Sequence, residues 1–151
     1  MLRLRPSASA HLCLWHRRRQ HHTMKPFFSS RTRSFGYAFR GWWHVLRTQR
    51  NAWIHAVIST AVIVLSLWLQ LPARDLAVLL VTIAMVWAAE FFNTAIEAVV
   101  DLASPIQHPL AKVGKDVGAA AVLIAALASV GVGLLILGPP LWERISIWLG
   151  S

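Results

Sequence analysis

The chain has 151 residues, 56% of them hydrophobic and only 14% charged, where an average soluble domain carries roughly a quarter charged residues. That balance excludes an ordinary soluble fold and a disordered chain, and the length leaves room for one domain. The net charge of +9 comes mostly from an N-terminal segment with no acidic residue before Asn51, so it marks attraction to anionic lipid headgroups, and no nucleic-acid partner is expected.

Residues 1–33 read as a basic, disordered tail. Its start, residues 1–23, is Arg- and His-rich and acid-free like an organellar transit peptide, but contains no apolar core; Met24 is an alternative start. His11, His16, His21 and His22 match no ligand spacing, and the lone Cys13 excludes an intrachain disulfide framework. From about 34 to 50 the pattern changes. Phe35, Phe39, Trp42, Trp43, Val45 and Leu46 alternate with Arg40, His44, Arg47 and Arg50, which predicts an amphipathic helix at the membrane surface.

Three apolar runs follow, at about 53–71, 76–102 and 117–141, each long enough to cross a hydrocarbon core of about 30 Å. The expected fold is therefore an all-α membrane protein with three transmembrane helices, an N-terminal amphipathic surface helix and a short tail at 142–151. The third run opens on Gly118, Ala119, Ala120 and Ala121, small residues that let helix backbones approach in lipid. The positive charge before Asn51 places the N-terminus in the cytoplasm. The turn at 71–75 then lies outside, and the loop at 103–116, with Lys112 and Lys115, lies inside.

The chain has six acidic residues, and four of them are Glu90, Glu97, Asp101 and Asp116. At about 100° per residue, Glu90, Asn93, Glu97 and Asp101 share a helical sector of roughly 80°. A carboxylate in a bilayer core costs on the order of 3 kcal/mol, so such a stripe marks a polar site, an ion path or a helix interface. Carboxylates are preferred ligands of Mg²⁺, and lysine supplies a mobile positive charge for phosphate. A deeper carboxylate at Glu90, flanked by Trp87, Phe91 and Phe92, could accept a proton from a hydroxyl. These parts suit phosphoryl transfer from a metal nucleotide to an alcohol lying in the membrane, although no P-loop and no glycine-rich kinase loop is present.

The run from Glu90 to Asp101, EFFNTAIEAVVD, with HPLAKVGKDVGAAAVL from His108 to Leu123, resembles the prokaryotic diacylglycerol kinase and undecaprenol kinase family. FGYAFRG at Phe35 and RNAWIH at Arg50 add to the resemblance, which covers about 34–137. It implies an ATP-dependent lipid kinase that phosphorylates diacylglycerol or undecaprenol, using ATP and Mg²⁺ or another divalent cation. Under it Glu90 is the general base, Asn93 a member of the same active site and Glu97 a metal ligand. Lys115 and Asp116 contact ATP, Tyr37 is a nucleotide-contacting aromatic, and Gln107 and His108 fall in a nucleotide-touching loop. The resemblance also implies a homotrimer with sites shared between subunits, in the inner membrane of a bacterium with the active site cytoplasmic.

One position departs from the family. A metal-holding glutamate is usual where this chain has Gln49, whose amide oxygen can ligate Mg²⁺ without a negative charge. That keeps open a catalytically weakened relative that binds nucleotide. A small ion-conducting oligomer is the other alternative, although the stretch 76–89 offers such a path nothing ionisable.

Overall fold

The computed structural model describes residues 27–106 and 108–150; the N-terminal histidines, Cys13, Met24 and Gln107 lie outside the described residues. Four helices account for nearly all of them: α1 (Phe27–Thr48), α2 (Arg50–Trp68), α3 (Ala73–Ala103) and α4 (Pro109–Trp148). Among the described residues there is no strand. The chain divides into a unit Met1–Tyr37, whose described part is the beginning of α1, and a unit Ala38–Ser151, which holds the rest.

Helices α2, α3 and α4 are each long and apolar enough to cross a membrane. All four helices start earlier than the surface helix and spans read from the sequence. α4 also runs past residue 141, through Pro139 and Pro140, to Trp148. Local chemistry explains the boundaries. α1 and α2 are separated by Gln49 alone, whose extended backbone (φ −101°, ψ 117°) breaks the helix. The α2–α3 turn passes through Gln70 in the left-handed region at φ 55°, with Leu71 N–H donating to Ser66 O at 3.1 Å. α4 starts on an N-cap: His108 Nδ1 accepts from Leu110 N–H at 3.2 Å, and Pro109 occupies the first turn, where its missing N–H is no loss.

α3 packs most extensively on α4 and makes a lesser contact with α2. An apolar cluster of Leu69, Leu79 and Leu137, flanked by Val62, Leu65, Val132 and Ile136, ties the three together near the α2–α3 turn. A second buried region lies on the order of 16 Å further along α3, at 1.5 Å per residue, and is polar: Glu90, Asn93 and Thr94 are buried there beside Gly118 and Val122 of α4. Large apolar side chains face outward on all three spans, including Val57 and Val64 on α2, Phe92 and Val99 on α3, and Leu127 and Leu134 on α4. Helices of this kind suit lipid, where an exposed apolar face carries no penalty.

Candidate active site

The second half of α3 carries the polar stripe, and the fold turns its upper part inward. Glu90 is 1% exposed and Asn93 7%. Glu97 is half-buried and Asp101 exposed. The face therefore grades from the interior of the helix packing to solvent over three turns.

Glu97 is held by two amides, one on each carboxylate oxygen. Gln49 Nε2 donates to its Oε2 at 3.1 Å, and Asn93 Nδ2 donates to its Oε1 at 2.9 Å. Gln49 reaches this point because the break between α1 and α2 falls on it. Asn93 leaves its own Oδ1 buried with no hydrogen-bond partner. Gly118 of α4 lies directly against that oxygen, and a Cβ built there would stand 2.5 Å from it. Of the small run 118–121, Gly118 alone is buried, because it is the residue that meets Asn93.

Glu90 faces His55 of α2, with Nε2 3.9 Å from Oε2. Neither of these two buried atoms has a hydrogen-bond partner. Thr94 Oγ1 donates to the Glu90 carbonyl at 2.9 Å, which keeps the hydroxyl within its own helix. Trp87, one turn before Phe91, borders the imidazole edge-on, stacks on Trp42 of α1 at 5.3 Å between ring centroids, and donates from Nε1 to Ser59 Oγ at 3.3 Å.

Two openings lie along this face. The smaller, about 250 Å³, is lined by Gln49, Asn51, His55, Glu90, Asn93 and Glu97, with an apolar wall of Ile54, Val122, Leu123 and Ala126. The larger, about 790 Å³, is lined by Asp101, His108, Lys112 and Lys115 and by the loop residues Ser104, Pro105 and Ile106. Its size falls in the range of small-molecule sites, roughly 300–1,000 Å³. Lys115 Nζ is paired with Asp101 across the α3–α4 seam. Both side chains are more than a third exposed, so this pair contributes at most about 1 kcal/mol and leaves the lysine available to a phosphate.

The sequence-predicted residues thus separate into groups. Gln49, Glu90, Asn93 and Glu97 converge on the smaller cavity. His108 and Lys115 line the larger one. Asp116 is exposed and lines neither, since it lies about 100° around α4 from Lys115, whose partner is Asp101. Tyr37 is exposed on α1 at the end of the first unit. His55, at the end of the RNAWIH run, faces Glu90. Its one sequence signal is that it is an ionisable residue inside an apolar helix. Gly118 was marked only as one of a run of small residues and Trp87 only as a neighbour of Glu90, while Ser59 carried no signal of its own.

Among the described residues no three His, Cys, Asp or Glu side chains group closely enough to cage a metal. The donor set is one carboxylate, Glu97, with the oxygens of Gln49 and Asn93 beside it, and the unpartnered Asn93 Oδ1 is the observation that fits a cation. Such a set suits Mg²⁺ of the kind held by one or two carboxylates together with substrate phosphates and waters.

A family profile described as prokaryotic diacylglycerol kinase matches residues 36–137. A diacylglycerol kinase of Synechocystis is 47% identical over 109 residues, which cover 72% of this chain and 62% of that protein. An undecaprenol kinase of Bacillus subtilis is 39% identical over 109 residues, covering 72% of this chain and 89% of that protein. A diacylglycerol kinase of Escherichia coli is 33% identical over 110 residues, covering 68% and 84%. Both openings, with the amide-held Glu97 and the buried Glu90, lie inside the matched region. The chain belongs to the prokaryotic diacylglycerol kinase family.

Proposed function

We propose that this chain is a membrane lipid kinase that transfers the γ-phosphoryl group of ATP to the hydroxyl of diacylglycerol or undecaprenol. The observation that carries the reading is one helix face. It bears a buried carboxylate with one oxygen lacking a hydrogen-bond partner at Glu90, an amide-held carboxylate at Glu97 two turns on, and a lysine-lined pocket beyond it. Membership of the family and relatives named for each of the two lipids support it.

In this reading the lipid hydroxyl enters the smaller cavity along its apolar wall, and Glu90 takes the hydroxyl proton. The nucleotide occupies the larger pocket, where Lys115 exchanges Asp101 for a phosphate oxygen and Lys112 and His108 stand nearby. Glu97, steered by Gln49 and Asn93, lines the smaller cavity one turn before Asp101 of the larger one. A divalent cation bound there would neutralise charge on the phosphates. Asp116, Tyr37 and Gln107 are assigned to the nucleotide by resemblance alone. The basic N-terminus supports a cytoplasmic position for both openings, where ATP is available, and a homotrimer is expected by resemblance alone.

The test is phosphate transfer from radiolabelled ATP to diacylglycerol and to undecaprenol, presented separately in mixed micelles with Mg²⁺ to the purified protein. A labelled lipid phosphate on one acceptor establishes the activity and its substrate. No product on either, with metal and detergent varied, overturns the reading.

A further inference from the structure

We propose that His55 is a second catalytic residue, a hydrogen-bond donor to the acceptor hydroxyl whose proton Glu90 takes; this rests on the kinase reading above. The argument starts from two buried atoms that lack partners, His55 Nε2 and Glu90 Oε2. They face each other at 3.9 Å, too long for a direct hydrogen bond, and both residues line the same cavity. The carboxylate opposite favours the imidazole tautomer with its hydrogen on Nε2. One group then only donates and the other only accepts.

A hydroxyl satisfies both at once, because it accepts one hydrogen bond and donates another. An oxygen about 2.8 Å from each atom closes a triangle with an angle of roughly 90° at that oxygen, which a hydroxyl tolerates. The same cavity is walled by Ile54, Val122, Leu123 and Ala126, so the carbon bearing the hydroxyl has an apolar place to lie. His55 is held for the task. The Trp87 ring borders its imidazole, and Trp87 is pinned through Nε1 to Ser59, one turn along α2 from His55.

With its proton directed at Glu90 and one lone pair occupied by His55, the hydroxyl oxygen keeps one lone pair for phosphorus. The new O–P bond forms as the bond from the γ-phosphorus to the bridging oxygen breaks. ADP leaves with that electron pair, the hydroxyl proton passes to Glu90, and His55 keeps its own proton throughout.

The experiment compares His55→Leu with His55→Gln, which retains an N–H donor of similar reach. For whichever lipid the wild-type protein phosphorylates, His55→Leu is expected to lower kcat/KM for the lipid about 100-fold, with KM for ATP unchanged within about twofold. His55→Gln is expected to recover at least about tenfold of that loss. Wild-type kinetics in His55→Leu, no recovery in His55→Gln, or a matching rise in KM for ATP overturns the proposal. A wild-type protein that phosphorylates no lipid would instead sink the kinase reading. Hydroxyl binding is then read from the ¹⁵N shift of His55 Nε2 in micelles without ATP, on adding dioctanoylglycerol or farnesol and, in parallel, their methyl ethers. A shift with either alcohol that its ether does not reproduce supports the contact with His55; no shift with either alcohol, or equal shifts with alcohol and ether, overturns it.

Discussion

At the scale of single residues the site is set by which polar atoms are left wanting. Glu90 is buried with an unpartnered oxygen, and Glu90→Gln removes the proposed base while keeping the shape. Transfer is expected to fall by at least about 100-fold while ATP binding, measured by equilibrium titration, stays near wild type; a fully active variant would refute the role. Gln49 gives Glu97 a hydrogen bond but no second negative charge. Gln49→Glu would place two carboxylates together, a repulsion that a divalent cation relieves. The Mg²⁺ concentration giving half-maximal rate should therefore drop roughly tenfold, or about 1.4 kcal/mol, and an unchanged metal dependence would argue that Gln49 only orients Glu97. Gly118 is where side-chain volume is forbidden, since a Cβ would stand 2.5 Å from Asn93 Oδ1, whereas at Gly114 the nearest atom is Val100 Cγ2 at 3.7 Å. Gly118→Ala should cost roughly 1–3 kcal/mol by thermal unfolding in detergent and displace Asn93, and Gly114→Ala should be near neutral.

At the scale of elements, the helix ends and seams decide which side chains meet. The break at Gln49 is the reason a residue between two helices reaches the second half of a third. Trp42 of α1 stacks on Trp87 of α3, and that indole borders His55 of α2, so an aromatic contact links three helices beside the cavity. Trp42→Ala should raise KM for the lipid acceptor more than KM for ATP and lower stability by about 1 kcal/mol; equal changes in both constants would mean a general loss of folding. Across the α3–α4 seam, the Lys115–Asp101 pair is exposed and contributes little to stability. Lys115→Met is therefore expected to leave thermal stability within about 1 kcal/mol of wild type while raising KM for ATP at least about tenfold. A large stability loss would recast the lysine as a structural tie.

At the scale of the whole molecule, three helices long enough to span a membrane bury little of their surface against one another. α3 and α4 share the most extensive contact, and large apolar side chains face outward on every helix. In lipid there is no hydrophobic drive to cover them, so association rests on close packing and polar contacts. The buried polar region around Glu90 and Asn93 is the costly part of the fold, because a carboxylate there has left water without a salt-bridge partner within hydrogen-bond reach. A site of this kind persists when substrate binding supplies the missing partners.

The amino-acid sequence by itself determined the all-helical membrane class and the α3 stripe. Hydrophobic run length and the 3.6-residue period are local properties, and Glu90, Asn93, Glu97 and Asp101 need no tertiary information to share a face. It also marked Gln49 as belonging with Glu97, through the resemblance rather than through any spacing. Only the tertiary structure decided that His55 faces Glu90, that Lys115 pairs with Asp101 while Asp116 lines neither opening, and that Gly118 carries the close approach. Each of these joins side chains from different helices, and the rotation of one helix against another is set by side-chain packing across the seam, which no single helix encodes.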